Sequence, residues 1–190
     1  MLRENNPRVP GAPRQQGFVL VVCLILLLVL TLIGIASVQN TALEEKMAGN
    51  DRNRELAFQS AEAALRVGES GLSQGLWSTF AGNTAGLYIV NPLSLAGPIW
   101  TTLDWTNPAN VGQVGGTLGG ATLPGSTIPM VVSQPELIIE QLVPVPAPGQ
   151  NLGQQQFGNG VPTVQLFRVT ALATGGDTNS QVMLQSVYKP

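Results

Sequence analysis

Few side chains in this chain have the types needed for acid–base or metal chemistry. The sequence has no histidine and a single cysteine, Cys23. After position 72 only six residues are charged: Asp104, Glu136, Glu140, Arg168, Asp177 and Lys189. General bases, zinc sites and Ser-His-Asp triads draw on residue types that are missing or scattered here. Asp104 and Asp177 could join a calcium site, but isolated aspartates in turns are more often loop residues. We therefore expect no enzyme activity, no metal and no cofactor.

The segment of residues 18–38 is the most distinctive part of the chain. It has 21 residues without a charge, and at about 1.5 Å per helical residue it can cross a bilayer. A leader, residues 1–17, precedes it with three arginines and one glutamate, and the first charges beyond it are Glu44 and Glu45. Because basic flanks stay on the cytoplasmic side, we expect the N-terminus inside and the larger domain outside.

Proteolytic processing is expected before this apolar segment. A secretory signal is cut after its apolar region, at a site of small residues, and no such site follows residue 38. We therefore predict a cut at the end of the leader, so that the apolar helix stays on the mature protein as part of a filament subunit or an anchor. An uncleaved single-pass anchor fits the hydropathy equally well.

The apolar segment continues into an amphipathic one. Together they predict one N-terminal helix over residues 18–72, with its transmembrane half at 18–38, because no proline interrupts the range. Apolar residues recur at helical spacing along one face of the second half, among them Met47, Phe58, Ala61 and Leu65. We expect this face to pack on the rest of the domain. A break near Gly49 would instead leave a separate core helix.

Residues 73–190 predict a head domain of different composition. The region 73–134 is rich in glycine and proline turn pairs, so we expect it to be irregular, with short strands near residues 87–90 and 99–103. Alternating patterns predict three longer strands, at residues 135–143, 167–173 and 181–188. A hairpin loop over residues 174–180 joins the last two. The expected fold class is α+β, with one long helix packed on a small antiparallel sheet.

Composition gives little indication of partners. The net charge is only −2 and no basic patch occurs in the head, which predicts no nucleic-acid partner. Trp77, Trp100 and Trp105 could anchor an interface, but in a domain with so few aromatic residues we favour core packing.

Several short motifs resemble one family. The leader that ends in glycine and is followed by phenylalanine resembles the class III signal of type IV pilins. Residues 45–50, EKMAGN, and 57–66, AFQSAEAALR, resemble the hallmarks of PilX-type minor pilins. Residues 167–170, 174–176 and 182–186 resemble the closing hairpin of the same family. The resemblance is close over residues 14–72 and less close over 135–190.

The resemblance implies a type IV pilin fold, together with a sequence of processing, membrane insertion and assembly steps. Prepilin peptidase would cut between Gly17 and Phe18, and Phe18 would be N-methylated. The protein would sit in the inner membrane with its head in the periplasm and then join a pilus at the cell surface, at its tip. Expected partners are other minor pilins, the major pilin, the peptidase and the inner membrane, with a tip adhesin as a further candidate.

Two residues depart from the usual pilin pattern. Gln16 stands where pilins commonly have a basic residue, and Val22 stands at the fifth position after the cut, where most pilins have glutamate. The absence of that carboxylate suits a subunit at a filament terminus better than one in the shaft. We therefore expect a minor pilin of the tip complex that primes assembly. The alternatives are a K-type minor pseudopilin of a type II secretion system, which usually has a larger insertion, and a membrane-anchored adhesin or binding module outside any filament.

Overall fold

The computed structural model describes residues 17–77, 80, 85–90, 97–149 and 162–190. The predicted leader up to residue 16, parts of the predicted irregular region, and residues 150–161 lie outside the described residues. Contacts within the chain divide it into two units, Met1–Ala48 and Gly49–Pro190, and each is described by itself.

Helix α1 begins at Phe18 and ends at Ser73. In the first unit, every described side chain from Gly17 to Ala48 is exposed, including the long run of leucine, valine and isoleucine. The hydroxyl of Thr31 donates to the carbonyl of Leu28 at 2.7 Å, so this polar group is satisfied inside the helix. Internal satisfaction of polar groups is what an apolar surrounding requires.

The second unit is built on a five-stranded sheet. Its strands are β1 (Leu87–Ile89), β2 (Gly112–Gln113), β5 (Glu136–Gln141), β8 (Phe167–Thr174) and β9 (Gln181–Tyr188). The order is β1-β5-β8-β9, with β2 also pairing β5. All pairs are antiparallel except β1 with β5, which is parallel. Two small ribbons complete the strands: β3 (Thr117–Leu118) with β4 (Ala121–Thr122), and β6 (Val145–Pro146) with β7 (Thr163–Val164).

The two faces of the sheet carry separate apolar clusters. Leu137, Ile139 and Val169 belong to the larger cluster, together with Ala64 and other residues of α1. Ile138 points to the opposite face, since successive strand residues alternate, and there it forms a second cluster with Tyr88 and Val111. Strand β5 is therefore buried on both sides, whereas the residues of β9 alternate between exposed and half-buried.

The predicted α+β fold class is confirmed, with two differences in the head. The strand expected at 99–103 is wrong: Ile99–Thr102 forms a short helix, α2. Pro98 stands directly before it with an extended backbone, and the Leu103 N–H closes the turn onto the Ile99 carbonyl. A run of apolar residues this short does not distinguish a strand from a helical turn. The sheet is also mixed, because β1 joins it in parallel.

The three tryptophans of the head differ in how deeply they are buried. Trp77 is buried in the larger cluster and its Nε1–H donates to the Leu118 carbonyl at 2.8 Å, as the expectation of core packing requires. Trp100 and Trp105 are half-buried against the second cluster, where the Trp105 Nε1–H donates to the Trp100 carbonyl at 3.2 Å.

Candidate functional site

The junction between Gly17 and Phe18 lies at the start of α1. Gly17 is exposed and its carbonyl accepts the N–H of Val21 at 3.4 Å, while Phe18 is 70% exposed. A Cβ added at Gly17 would meet no described atom within 4 Å. The surrounding fold therefore does not require glycine at this position.

The side chains in the apolar half of α1 are exposed in the part of the chain that the structure describes. It is long and apolar enough to cross a membrane, judged by length and composition, and no part of its most apolar stretch of 18 residues is buried. Val22, which the resemblance to pilins places at the position of their usual glutamate, is 37% exposed. Large apolar side chains exposed on all sides of a helix indicate that lipid or other subunits cover them.

The second half of α1 packs on the sheet through small residues. Its buried residues are Ala57, Ser60, Ala61, Ala64, Gly68, Gly71 and Leu72. Of the four positions expected on the packing face, Ala61 is fully buried and Leu65 packs half-buried against the larger cluster. Phe58 is 44% exposed and Met47 is 65% exposed, so these two lie off the buried face of the single chain. The buried face is made of small side chains because the helix comes close to the sheet.

Glycines allow that close approach. A Cβ added at Gly68 would lie 2.8 Å from Cγ1 of Val169 and 3.1 Å from Cδ1 of Leu137. In the loop between β8 and β9, a Cβ at Gly175 would lie 2.0 Å from the carbonyl oxygen of Asn53 on α1. A Cβ closer than 3 Å to another heavy atom would clash with it. Both positions therefore favour glycine over any residue with a side chain.

Polar contacts also fix the head. The Arg168 guanidinium donates from two nitrogens to the Glu140 carboxylate, at 2.7 and 2.9 Å, and Glu140 is fully buried. These residues face each other across β5 and β8. The hydroxyl of Ser186 on β9 donates to the Glu69 carboxylate of α1 at 2.6 Å. Sequence analysis missed the ion pair, although the signal was present: an arginine and a glutamate inside predicted strands of a charge-poor region.

Asp104 and Asp177, the two aspartates considered for a calcium site, each accept a hydrogen bond from a neighbouring threonine. The hydroxyl and the backbone N–H of Thr106 donate to Asp104, and these hydrogen bonds lower the pKa of its carboxyl. Asp177 lies in the loop between β8 and β9 and accepts a hydrogen bond from Thr178. The described part of the chain contains no group of three or more His, Cys, Asp or Glu residues that could hold a metal ion.

Burial shifts two further groups on the sheet face that turns away from α1. The pKa of the Tyr88 hydroxyl is raised by desolvation, and this hydroxyl donates to the Asn110 carbonyl at 2.7 Å. The pKa of the Glu136 carboxyl is raised by desolvation too. Glu136 differs from Glu140, which lies four residues further along the same strand, because it faces Leu172 on β8 whereas Glu140 faces Arg168.

An N-terminal helix with an exposed apolar first half, and a second half packed through small residues on a sheet, is the architecture of the type IV pilin class. Two family profiles agree with it. The PilX N-terminal family matches residues 16–66, and the type IV pilus assembly protein PilX C-terminal family matches residues 44–190. The chain therefore belongs to the PilX family of type IV pilus assembly proteins, as its motifs suggested. This is a family of structural pilus components. No curated protein and no solved structure matches the chain significantly.

Proposed function

We propose that this chain is a minor pilin of the tip complex that primes assembly of a type IV pilus. The observation that carries the proposal is Val22, which stands where most pilins have a glutamate. In a pilus shaft that carboxylate is thought to pair with the terminal amine of a neighbouring subunit. Inside an apolar bundle an unpaired charge costs several kcal/mol.

The position of the subunit follows from this cost. A subunit with Val22 built into the shaft leaves the amine of one neighbour without its partner. At a filament terminus one neighbour is absent, so the missing carboxylate carries no such penalty. A terminal subunit is also needed in far fewer copies than a shaft subunit, so the protein is expected to be scarce relative to the major pilin.

Processing and topology are part of the same proposal. Prepilin peptidase cuts between Gly17 and Phe18, Phe18 is N-methylated, and the apolar half of α1 holds the protein in the inner membrane. The N-terminus lies in the cytoplasm and the head in the periplasm before the subunit enters the pilus. The exposed junction and the uncovered apolar helix support this order. Other minor pilins, the major pilin and a tip adhesin are the proposed neighbours.

Immunogold labelling of isolated pili tests the proposed position. Signal confined to the filament ends supports the tip role, and deletion of the gene should reduce the number of surface pili while leaving the shafts of the remaining pili normal. Val22→Glu should extend labelling into the shaft, because the new carboxylate offers the missing partner. Val21→Glu, one residue earlier, is the matched control and should not do so. Regular labelling of wild-type protein along the shaft would reject the tip role.

Mass spectrometry of the mature N-terminus tests the processing step. Gly17→Val should block cleavage and leave a full-length membrane precursor. Gly34→Val is the matched control, since a Cβ at either position meets no described atom within 4 Å. The control should be cut as in the wild type. An intact Met1 on wild-type protein from peptidase-competent cells would contradict the proposal and favour an uncleaved anchor.

A further inference from the structure

A cavity of about 160 Å³ opens on the sheet face that turns away from α1. We call it the Glu136 pocket, and the lining residues used below are Trp105, Thr106, Gln134, Glu136, Leu172 and Gln181. Glu136 lies directly opposite Leu172 across β5 and β8, so a carboxylate and an apolar side chain stand side by side. The volume is below the range of about 300–1,000 Å³ that drug-sized ligands need, and it suits one slender group.

The carboxylate of Glu136 has no partner in the described residues. It is half-buried, and neither a hydrogen bond nor an ion pair joins it to any residue that the structure describes. Desolvation raises its pKa, which means that the ionised form is poorly stabilised in the free chain. Glu140, on the same strand and the same face, receives two hydrogen bonds from Arg168. The head therefore satisfies one carboxylate of this face and leaves the other open.

The surroundings of the pocket are acidic. Asp104 binds Thr106, which lines the pocket, and Arg168 is committed to Glu140. Lys189 follows the far end of β9, about 25 Å from the end that borders the pocket. Arg54 of α1 lies in a separate cavity with Asp51 and Asp177, which shares only Gln181 with the Glu136 pocket. A cation from outside the chain would thus meet uncompensated negative charge here.

The walls select among cations. The Trp105 Nε1–H is bonded to the Trp100 carbonyl, so the ring contributes its apolar surface to the pocket. Both ends of the Gln134 amide are held by the backbone of Ile128, at 2.7 and 2.8 Å, which fixes that wall. Methylene groups can pack on Trp105 and Leu172, while an ammonium group reaches Glu136 and a nearby threonine hydroxyl. An ammonium is compact, and a planar guanidinium needs a wider, forked site.

We propose that the Glu136 pocket binds a primary alkylammonium group, the chemistry shared by a lysine side chain of another protein and a free aliphatic diamine. The positive charge pairs with Glu136 and the carbon chain lies between Trp105 and Leu172. This inference goes beyond the role in pilus assembly and does not depend on the position of the subunit in the filament.

Titration of the full chain in detergent micelles with 1,5-diaminopentane tests the proposal. Tryptophan side chains labelled with ¹⁵N give one indole signal each, and Trp105→Phe identifies the signal in the pocket. We expect this signal to shift with a Kd on the order of 1 mM, as is reasonable for so small a ligand. The uncharged 1,5-pentanediol, which has the same chain length, should leave it unchanged. The signal of Trp77, which does not line the pocket, reports that the fold is intact.

Two pairs of variants tie binding to the pocket. Glu136→Gln should weaken diamine binding at least about tenfold, whereas Asp177→Asn, which removes the same charge elsewhere, should change it less than about twofold. Gln181→Lys places an ammonium at the exposed rim and should compete with the diamine, while Gln181→Met should not. If Glu136→Gln shifts the Trp77 signal, its fold is altered, and the Gln181 variants then test binding in its place.

A capped pentapeptide with one central lysine between glycines distinguishes the two sources. Tighter binding of the peptide than of the diamine assigns the pocket to a protein lysine, and the reverse assigns it to a free diamine; both support the proposal. The proposal is overturned if the Trp105 signal does not respond to either probe, if pentanediol binds as well as the diamine, or if binding survives in both Glu136→Gln and Gln181→Lys.

Discussion

The two halves of α1 differ in the size of the side chains that they expose and bury. From Gly17 to Arg52 every side chain is exposed, although most of residues 18–38 are large and apolar. From Ala57 to Leu72 the helix buries mainly alanine, serine and glycine. Hydrophobicity alone therefore does not determine burial within one chain. The first half requires an apolar partner from outside, and the second half uses small residues to bring the helix close to its own sheet.

The largest effect on stability should come from removing a charge in the head, where the chain buries its own residues. Arg168→Ala leaves the fully buried Glu140 without its partner, and breaking a buried pair typically costs about 3–5 kcal/mol of the free energy of unfolding. Urea unfolding of the full chain in micelles, followed by tryptophan fluorescence, measures this. Arg66→Ala removes the partner of exposed Glu62 and should cost less than about 1 kcal/mol. Similar costs for the two variants would show that the β5–β8 pair is not sealed from water.

A pair of leucines tests the comparison directly. Leu137→Ala, at a fully buried position of β5, should lower the free energy of unfolding of the head by about 2–5 kcal/mol. Leu28→Ala, at a position that is 53% exposed in the chain, should change it by less than about 0.5 kcal/mol in the same urea experiment. A large loss of head stability in Leu28→Ala would mean that the apolar half of α1 contributes to the folding of the head.

A pair of helix glycines gives a smaller effect of opposite sign. The new Cβ in Gly49→Ala would meet no described atom within 4 Å. Helix propensity should therefore raise the free energy of unfolding by about 0.5–1 kcal/mol. Gly68→Ala makes the same gain, but its Cβ would press on Val169 and Leu137, and overpacking costs about 1–3 kcal/mol. The net change should be a loss of up to about 2 kcal/mol, measured by thermal unfolding. If both variants are stabilised, the helix and the sheet are less tightly packed than the contacts indicate.

The smallest effect is a pH dependence at Glu136. Burial raises the pKa of this carboxyl, so between its unfolded and folded values the folded chain binds more protons. The contribution of Glu136 to stability is therefore present below the unfolded pKa and is lost as the pH rises through the folded value. Glu136→Gln lacks this loss, so its urea midpoint should exceed that of the wild type near neutral pH. The difference should vanish below about pH 4. A constant difference at all pH values would exclude the ionisation as its cause.

Local patterns were enough to predict the helix and the three longest strands. No proline or run of turn residues interrupts α1, and alternating apolar residues mark β8 and β9 on either side of the loop that holds Gly175. The family motifs also predicted the membership that the two profiles confirm. These features depend on neighbours in sequence, so the sequence is sufficient for them.

The rest of the structure depends on contacts between distant residues. Periodicity placed Met47, Phe58, Ala61 and Leu65 together on the packing face, but the close approach of the sheet buries the small Ala61 and leaves Phe58 44% exposed. The parallel pairing of β1 requires a partner about fifty residues away in β5, which no local pattern specifies. The Glu136 pocket likewise combines residues from β5, β8 and the segment around Trp105.

The facing positions of Glu140 and Arg168 also bear on how the strands find their alignment. Strand β5 has apolar residues on both faces, so apolar patterning alone discriminates poorly between shifted pairings. A shift of β8 by two residues would bring Thr170 opposite Glu140 and strand a carboxylate in a site closed to water. The unpaired buried carboxylate therefore destabilises shifted pairings that the apolar residues alone would permit. One buried ion pair thus favours a single register between the two central strands, β5 and β8.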